Sequence, residues 1–155
     1  MTIRPLRPDV HPDWLRMRRA LWPACATSMH EREMREYTEP GGERAVLVAE
    51  AEDGCPVGFV ELSVRDRVEG SYSDRVGYVE GWYVEPAFRG QGVGRRLIEA
   101  AERWTAERGL TEIASDAEIE NEGSIRAHAA LGFRETFRVV QFLKPIRPRP
   151  DAGAV

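Results

Sequence analysis

Cysteine is scarce in this sequence, and long apolar runs are absent. Cys25 and Cys55 are the two cysteines in 155 residues, and their spacing fits neither a disulfide framework nor a metal site. Such usage favours a reducing, cytoplasmic setting. The N-terminus has no apolar core of the signal-peptide kind, and no later stretch is apolar for the length of a membrane crossing. We therefore expect a cytoplasmic protein with no membrane partner.

The chain also lacks a surplus of basic charge. Its 26 aspartates and glutamates outnumber its 22 lysines and arginines, which gives a net charge of −4 and a pI near 5.5. This balance argues against nucleic acid as a partner and permits a cationic substrate. With 42% hydrophobic and 31% charged residues, the length suits one globular domain. We predict that domain over residues 1–146 and a disordered tail over residues 147–155.

Two familiar nucleotide-binding motifs are missing as well. Gly90, Gly92 and Gly94 alternate between an apolar strand pattern and the start of an amphipathic helical pattern. Unscreened backbone N–H groups at a helix N-terminus predict a site for a phosphate or pyrophosphate. A P-loop would continue with lysine and a hydroxyl residue, but Arg95 and Arg96 follow, and G-x-G-x-G is not the dinucleotide spacing. A glycine-rich turn without a ligand is the alternative.

Hydrophobic periodicity and turn residues predict the element order β-α-α-β-β-β-α-β-α-β-β. Strands are expected over residues 2–6, 45–49, 57–64, 79–84, 111–117, 133–137 and 139–143. Helices are expected between Pro12 and Pro23, over 28–37, from 93 along an apolar stripe to Trp104, and over 121–131. Ser28 and Glu31 have the spacing of a capping box. The order describes a mixed sheet with helices on its faces.

Two motifs resemble those of the GCN5-related N-acetyltransferases (GNAT). The first is Val84-x-Pro86-x-x-Arg89-Gly90-Gln91-Gly92-x-Gly94, similar to their acetyl-CoA pyrophosphate loop, and the second is Asn121-x-x-Ser124 leading to Leu131-Gly132-Phe133. The resemblance extends to about Ile146. It implies an α/β (α+β) GNAT fold, with a central mixed, mostly antiparallel sheet of six to seven strands flanked by about four helices. It also implies acetyl-CoA as cofactor, with coenzyme A as product and no metal, bound by Tyr83, Val84, Arg89, Gly90, Gln91, Gly92, Val93, Gly94, Arg95, Asn121 and Ser124.

Four further segments resemble the aminoglycoside 6′-N-acetyltransferases, which inactivate antibiotics. They are Trp14-Leu15-x-x-Arg18-x-x-Leu21-Trp22, His30-x-x-Glu33-Met34, Glu80-Gly81-x-Tyr83-Val84 and Ala114-Ser115-Asp116-Ala117. The implied acceptor-binding residues are Trp22, Tyr72, Glu80, Asp116 and Glu118. Residues 65–74 are one residue short against the subgroup, so its usual acidic position falls near Tyr72, and Asp66, Glu69 or Asp74 could substitute. Core packing for Trp22 and solvent exposure for Tyr72 and Glu118 are the alternatives.

Acetyl transfer to an amine needs a neutral nucleophile, an oxyanion donor and a proton for the departing thiolate. Asp116 and Glu80 are the candidate catalytic carboxylates, acting through water and by holding the cation. His128 is the candidate acid for the thiolate, and a backbone N–H near Tyr83 or Val84 is the implied oxyanion donor. The alternatives are a strand-end cap for Asp116, a solvated role for Glu80 and simple packing for His128.

The leading hypothesis is an acetyl-CoA-dependent aminoglycoside 6′-N-acetyltransferase. The alternatives are a GNAT enzyme for polyamines, other small amines or protein N-termini, and a CoA-binding module without catalysis. His11, His30 and His128 form no ligand set, so we expect no metal. A homodimer is expected from the resemblance and from the closing strand pair, whose apolar residues could pack on a second subunit: Phe137, Val139, Val140 and Phe142.

Overall fold

The computed structural model describes residues 1–146, so the predicted tail over 147–155 lies outside the described residues. Five strands in this part form one sheet in the order β1-β2-β3-β4-β5: β1 (Thr2–Pro5), β2 (Arg44–Glu50), β3 (Pro56–Asp66), β4 (Arg75–Val84) and β5 (Ile113–Ser115). The pairings from β1 to β4 are antiparallel, and β4 pairs with β5 in parallel. The predicted mixed, mostly antiparallel sheet is confirmed.

Four α-helices accompany the sheet within residues 1–146: α1 (His11–Leu21), α2 (Thr27–Thr38), α3 (Val93–Ala106) and α4 (Glu122–Ala130). Pro12 lies in the first turn of α1, where its missing N–H breaks no intrahelical bond. The capping box predicted at Ser28 is wrong because α2 starts earlier. Ala26 has the extended backbone of an N-cap residue, and its carbonyl accepts from the N–H of His30.

The sheet separates two apolar clusters. Alternate side chains of β3 face opposite sides, so Phe59 packs in a cluster with Trp14 of α1, whereas Val60 and Leu62 pack with Leu97 of α3. Helices α1 and α2 therefore cover one face of the sheet, and α3 covers the other. Burying each such side chain contributes about 1.5–3 kcal/mol, which makes these two clusters the main support of the fold.

A β-bulge interrupts the pairing of β3 with β4. Glu61 lies opposite Gly81, but Leu62 lies opposite Val79, so Glu80 is the extra residue on β4. A bulge changes the alternation of side chains and is a common way to direct one of them toward a functional site. Here it lets Glu80 face the α1–α2 side of the sheet next to Gly81.

The predicted closing pair of strands over 133–137 and 139–143 is wrong. Residues 133–146 form neither helix nor strand, so the described sheet has five strands rather than six to seven. A strand requires a neighbouring ladder for its backbone N–H and C=O groups, and no described strand pairs with this segment. Residues 134–146 are called the C-terminal arm below. The arm exposes a series of large apolar side chains: Phe137, Val139, Val140, Phe142, Leu143 and Ile146.

Candidate active site

The sheet opens between β4 and β5. Their pairing runs from Gly77 opposite Ile113 to Val79 opposite Ser115, where β5 ends two residues before its predicted end. Strand β4 continues to Val84, so the backbone beyond Val79 has an edge without a described neighbouring strand. Such an edge can bind an extended ligand through main-chain hydrogen bonds.

Tyr83 and Val84 line this opening with backbone rather than with reactive side chains. The ring of Tyr83 is buried on the α1–α2 side, 6.1 Å from the ring of Phe59, and its hydroxyl lies 3.2 Å from Glu85. The side chain of Val84 belongs to the cluster under α3. Only main-chain groups of these two residues can therefore take the predicted roles.

The glycine loop follows β4 directly and leads into α3. Gly90 and Gly92 have φ angles of +73° and +81°, which side-chain-bearing residues adopt at a cost. A Cβ built on either residue would meet nothing within 4 Å, so space beside the loop is open. No described side chain caps the N-terminus of α3, which leaves its first-turn N–H groups available. The loop fits the predicted pyrophosphate site.

Two predicted cofactor residues support the loop through their side chains. The Nε of Arg89 donates to the carbonyl of Val84 at 2.9 Å, and the Nε2 of Gln91 donates to the carbonyl of Ala87 at 2.8 Å. Both contacts tie the loop to the segment that precedes it. Arg89 and Gln91 thus shape the site rather than extend free groups into it.

Of the remaining loop residues, Val93 and Gly94 pack against the core, and Arg95 makes one weak contact. Val93 is buried in the core, and a Cβ on Gly94 would come within 2.8 Å of the Trp82 ring, so close packing requires glycine there. Arg95 is exposed, with an Nη2 contact of 3.5 Å to the carbonyl of Ala130. Val93 and Gly94 can offer a ligand their backbone N–H groups, whereas Arg95 can also offer its charge.

The second motif lies at the start of α4. The Oδ1 of Asn121 accepts from the N–H of Ser124 at 3.0 Å, which is the geometry of an N-cap. One turn later, the Nδ1 of His128 lies 2.8 Å from the carbonyl of Ser124. The motif therefore builds and holds the helix end, and any cofactor contact would come from its exposed side.

His128 is connected to the opening of the sheet by a contact with Ser115. Its Nε2 lies 2.9 Å from the Oγ of Ser115, which lies 3.4 Å from the carbonyl of Val79. The imidazole also makes edge contacts with the rings of Trp82 and Phe133, at 5.4 and 5.2 Å between centroids. The His128 side chain thus packs against two aromatic rings and also contacts Ser115, which belongs to the last β4–β5 pair. The sequence analysis did not assign Ser115.

The two candidate carboxylates flank a tyrosine and an arginine. Glu80 accepts from the Oγ of Ser63 at 2.5 Å and forms a two-point ion pair with Arg65, in which Nε donates at 2.9 Å. Asp116 is exposed and accepts from the hydroxyl of Tyr78 at 2.8 Å. Arg65 lies over the Tyr78 ring, 3.5 Å from its centroid. Burial and the nearby Asp116 raise the pKa of Tyr78, so its hydroxyl remains a donor.

A cleft of about 720 Å³ lies between α1, α2 and the β3–β4 pair. Trp22 and Glu80, two residues of the predicted acceptor set, are both in its lining. Glu80, at one side of the cleft, directly follows Val79, the last residue of β4 that pairs with β5. The lining mixes aromatic, acidic and basic side chains: Arg18, Trp22, Cys25, Met29, Arg32, Glu33, Glu36, Tyr37, Arg44, Glu61 and Glu80, with Ala24.

Sequence analysis missed the buried ion pair under this cleft. The Oε1 of Glu61 accepts from Arg18 at 2.5 Å and from the Nε1 of Trp14 at 2.8 Å. Burial raises the pKa of Glu61 to about 7, although Arg18 and Trp14 act in the opposite direction. A charged residue inside the apolar strand pattern was the available signal for Glu61. For Arg18, the signal was its position four residues after Trp14 on the apolar helix face.

Three predicted acceptor residues lie outside the cleft lining: Asp116, which is described above, Tyr72 and Glu118. Tyr72 has a 94% exposed side chain in the loop over residues 67–74, and Glu118 is exposed beyond the end of β5. The loop itself is anchored, because the carboxylate of Glu112 accepts from the N–H groups of Tyr72 and Ser73 at 2.9 and 2.8 Å.

Residues 1–146 contain no cluster of three or more histidine, cysteine, aspartate or glutamate side chains suited to a metal ion. In the same part of the chain, no helix has the length and apolar character for a membrane crossing.

The sequence pattern of the acetyltransferase (GNAT) family matches residues 11–133, which is most of the chain. This protein belongs to the GNAT acetyltransferase family. The family resemblance found in the sequence is thereby confirmed, and close similarity to solved structures confirms the GNAT fold.

Within the family, the chain is similar to enzymes that modify aminoglycosides. The aminoglycoside N(6′)-acetyltransferase type 1 of Klebsiella aerogenes is 44% identical over 146 residues, which cover 93% of this chain and 96% of the relative. The aminoglycoside antibiotic 6′-N-acetyltransferase AAC(6′)-IG of Acinetobacter haemolyticus has a TM-score of 0.86 at 36% identity, covering 95% of this chain and 100% of that one. AAC(6′)-Iy in complex with the bisubstrate analogue CoA-S-monomethyl-acetylneamine gives 0.86 at 36% identity, covering 94% and 98%.

Proposed function

We propose that this protein transfers the acetyl group of acetyl-CoA to the 6′-amino group of aminoglycosides. The observation that carries the proposal is the cleft lined by Trp22 and Glu80, because Glu80 directly follows the residue of β4 at which the pairing with β5 ends. Support comes from the relative of K. aerogenes, whose name states this activity, and from the bisubstrate complex of AAC(6′)-Iy. Acetylation removes a positive charge from the drug, so the activity would produce antibiotic resistance.

Bound acetyl-CoA would supply the thioester that the amine attacks. Backbone N–H groups of residues 90–95 are the proposed pyrophosphate contacts, supported by the open space at Gly90 and Gly92. The free edge at Tyr83 and Val84 is the proposed place for the rest of the cofactor. Arg89 and Gln91 hold the loop, and Val93, Gly94, Arg95, Asn121 and Ser124 complete the proposed cofactor set.

Asp116 is the proposed proton acceptor for the amine, either directly or through a water molecule. It is exposed, its described hydrogen bond comes from the neutral hydroxyl of Tyr78, and Arg65, the nearby cation, forms its ion pair with Glu80 instead. The charge of Glu80 is thereby compensated. We therefore assign Glu80 to holding an ammonium of the acceptor, which would exchange with the guanidinium of Arg65.

His128 stays the proposed proton donor for the thiolate, and it would act through Ser115. The Nε2–H would give its proton to Ser115 Oγ, the hydroxyl at the last β4–β5 pair, as that hydroxyl gives its own proton to the thiolate, so the serine ends neutral and the histidine has lost one proton. The same geometry is compatible with a purely structural imidazole. Ser115→Ala separates the two roles: equal losses of kcat in Ser115→Ala and His128→Asn support the relay, and an unchanged kcat in both contradicts it.

A backbone N–H at Tyr83 or Val84 is the proposed oxyanion donor. The unpaired edge of β4 supports this assignment, because main-chain groups there need no side chain to present them. Losing one preorganised donor of this kind costs about 10²–10³ in kcat.

The proposed acceptor contacts fall into two groups, inside the cleft and outside it. Trp22 and Glu80 would bind the ring that bears the reacting amine, because both line the cleft. Tyr72, Asp116 and Glu118 lie outside that lining and would contact the remaining rings of a large acceptor at the mouth of the site.

We also propose a homodimer in the cytoplasm. The exposed apolar side chains of the C-terminal arm support the dimer, and β5 leaves one edge of the described sheet free for a partner. Two cysteines without disulfide spacing support the cytoplasmic location.

An acceptor assay tests the proposed activity. Kanamycin and acetyl-CoA should give a product one acetyl group heavier, with NMR locating the acetyl on the 6′-nitrogen. Paromomycin, which carries a 6′-hydroxyl, is the matched control and should not react at that position. Preferred turnover of spermidine or of N-terminal peptides would favour the broader acetyltransferase. Tight CoA binding without turnover of any amine would favour the binding module, and either result contradicts the proposal.

A further inference from the structure

A fully buried arginine lies beneath the acceptor cleft. Only 1% of the surface of Arg18 is exposed, yet its guanidinium has acceptors on two other elements. It donates to Glu61 of β3 at 2.5 Å and to Glu33 of α2, and its Nε lies 3.4 Å from the Nδ1 of His30. Breaking such a buried pair strands an uncompensated charge, so the guanidinium is held firmly in place.

The indole of Trp22 rests on this guanidinium. The Cζ of Arg18 lies 4.8 Å from the Trp22 ring centroid, within the range of a cation–π contact. Trp22 ends α1, where its N–H donates to the carbonyl of Arg18 at 2.9 Å. Backbone and ring of Trp22 are thus both tied to Arg18.

The far edge of the same indole lies against β4 at a glycine. A Cβ on Gly81 would come within 2.5 Å of Cη2 and 3.0 Å of Cζ2 of Trp22, and 3.5 Å from the Oε2 of Glu61. Hydrogen is therefore the largest group that this position of β4 accommodates while the ring stays where it is. Trp22 is half-buried and lines the cleft, so a ring displaced from β4 would change the cleft itself.

We propose that Arg18 and Gly81 are positioning residues for the amine acceptor: together they hold the Trp22 indole against β4 as a rigid wall of the cleft. The inference rests on the proposed function, because it takes this cleft as the acceptor site. It explains why residues distant in sequence, quoted above for the narrower resemblance, meet in one cluster: Trp14, Arg18, Trp22, His30, Glu33 and Gly81. A rigid wall lowers the ordering cost of acceptor binding.

The first test is Gly81→Ala. The added methyl group displaces the indole, so KM for kanamycin should rise about tenfold or more. KM for acetyl-CoA should stay within twofold, because Gly81 faces Trp22 of α1, whereas the glycine loop leads into α3 on the opposite face of the sheet. A tenfold change corresponds to about 1.4 kcal/mol of binding free energy.

Gly77→Ala is the matched control on the same strand. Its Cβ would also come within 2.5 Å of a side-chain atom, but that atom is the Oγ1 of buried Thr105 on α3. This variant should lower Tm while leaving both KM values unchanged. If the two alanine variants raise the acceptor KM equally, general destabilisation explains the effect and the proposal is overturned.

A double-mutant cycle identifies Trp22 as the residue through which Gly81 acts. Phenylalanine lacks the distal ring edge that touches Gly81, so Gly81→Ala should change the acceptor KM less than twofold in a Trp22→Phe background. Effects that simply multiply would contradict the inference.

A readout that needs no activity completes the test. With 5-fluorotryptophan incorporated, the ¹⁹F resonance of Trp22, assigned through Trp22→Phe, should shift in Gly81→Ala and in Arg18→Met but not in Gly77→Ala. Arg18→Met leaves Glu61 without its main partner, so this variant can fail to fold. The result for Gly81→Ala therefore decides the test. An unshifted Trp22 resonance overturns the positioning role. Absence of aminoglycoside turnover in the wild type overturns the proposed function alone, since the resonance still reports the indole.

Discussion

Asp116 stands at the end of β5 as an exposed carboxylate with a tyrosine hydroxyl as its described donor. Asp116→Asn keeps an oxygen for that hydroxyl but removes the negative charge. If the carboxylate accepts the proton, kcat/KM for kanamycin should fall by about 10²-fold, the usual scale of general-base loss. Steady-state kinetics and thermal unfolding of the same preparations measure both effects.

The control for Asp116→Asn is a variant of Tyr78, the residue whose hydroxyl donates to Asp116. Tyr78→Phe removes the hydrogen bond and leaves the carboxylate charged, so activity should fall only a few-fold. Exposed surface changes rarely exceed about 0.5 kcal/mol, and Asp116→Asn should therefore unfold at nearly the wild-type temperature. Parallel losses of Tm and activity would instead indicate a strand-end capping role.

Glu61 gives a prediction about pH. Burial raises its pKa from the ordinary 4.5 to about 7, so the folded protein holds a proton that the unfolded chain has lost within this range. The contribution of this group to stability therefore falls as pH rises from about 4.5 to 7. Glu61→Gln lacks this titration, and its free energy of unfolding should fall less over the window, by up to about 3 kcal/mol relative to wild type.

Urea unfolding at pH 5, 6 and 7 measures the difference. The charged and titratable groups around Glu61 in the described residues are Arg18 of α1, His30, Glu33 and Tyr37 of α2, and Glu80 of β4. Glu33→Gln removes a more exposed partner of the same arginine and should keep the wild-type pH dependence. Identical pH profiles for wild type and Glu61→Gln would show that burial does not raise the pKa.

At the scale of the elements, Gly92 in the glycine loop and Gly109 after α3 allow a matched test of backbone strain. Gly92 and Gly109 both have positive φ angles, +81° and +73°, and both have open space where a Cβ would point. Alanine at either position should cost about 1–2 kcal/mol of stability through backbone strain. Only Gly92→Ala should also weaken acetyl-CoA binding in calorimetry, because Gly92 precedes the free N–H groups of α3. Equal affinities in the two variants would contradict a cofactor role for the loop.

The carboxylate of Glu112 anchors the loop over residues 67–74 at two adjacent amides, those of Tyr72 and Ser73. Glu112→Ala removes the acceptor of the Tyr72 and Ser73 N–H groups, so hydrogen exchange at both amides should accelerate about tenfold or more, given about 1.5 kcal/mol per charge-assisted bond. Glu112→Gln keeps an acceptor oxygen and should exchange more slowly than the alanine variant. A severalfold rise of acceptor KM in Glu112→Ala would support Tyr72 as an acceptor contact, whereas unchanged exchange would show that the anchor is unimportant.

At the scale of the whole molecule, the C-terminal arm predicts association. Contiguous apolar surface of this kind usually marks an interface, and β5 leaves one sheet edge free. Light scattering should therefore give twice the chain mass, and Phe142→Asp should return the mass of one chain. Ile119→Asp alters an exposed apolar residue outside the arm and should leave the dimer intact. A wild-type protein that is monomeric at micromolar concentration contradicts the prediction.

Local sequence was sufficient for much of the fold and for the backbone of the glycine loop. All four helices, the mixed sheet and the phosphate-type loop were predicted, because helix periodicity, strand alternation and positive-φ glycines are properties of short segments. The single domain over residues 1–146 and the individual site residues stay predictions. The predicted closing pair of strands over 133–137 and 139–143 was wrong, because strand formation depends on a pairing partner that the local sequence pattern does not specify.

What the sequence by itself determined is the backbone of the glycine loop: glycines at 90 and 92 that accept left-handed backbone, followed at once by a helix N-terminus. Only the tertiary structure decided which charges the proposed acceptor cleft offers. Arg18 and Glu61 lie 43 positions apart and are joined under Trp22, while Arg65 compensates Glu80 and leaves Asp116 to its tyrosine. The physical reason is that burial and charge pairing arise when distant segments pack, whereas a backbone conformation can be set by a few adjacent residues.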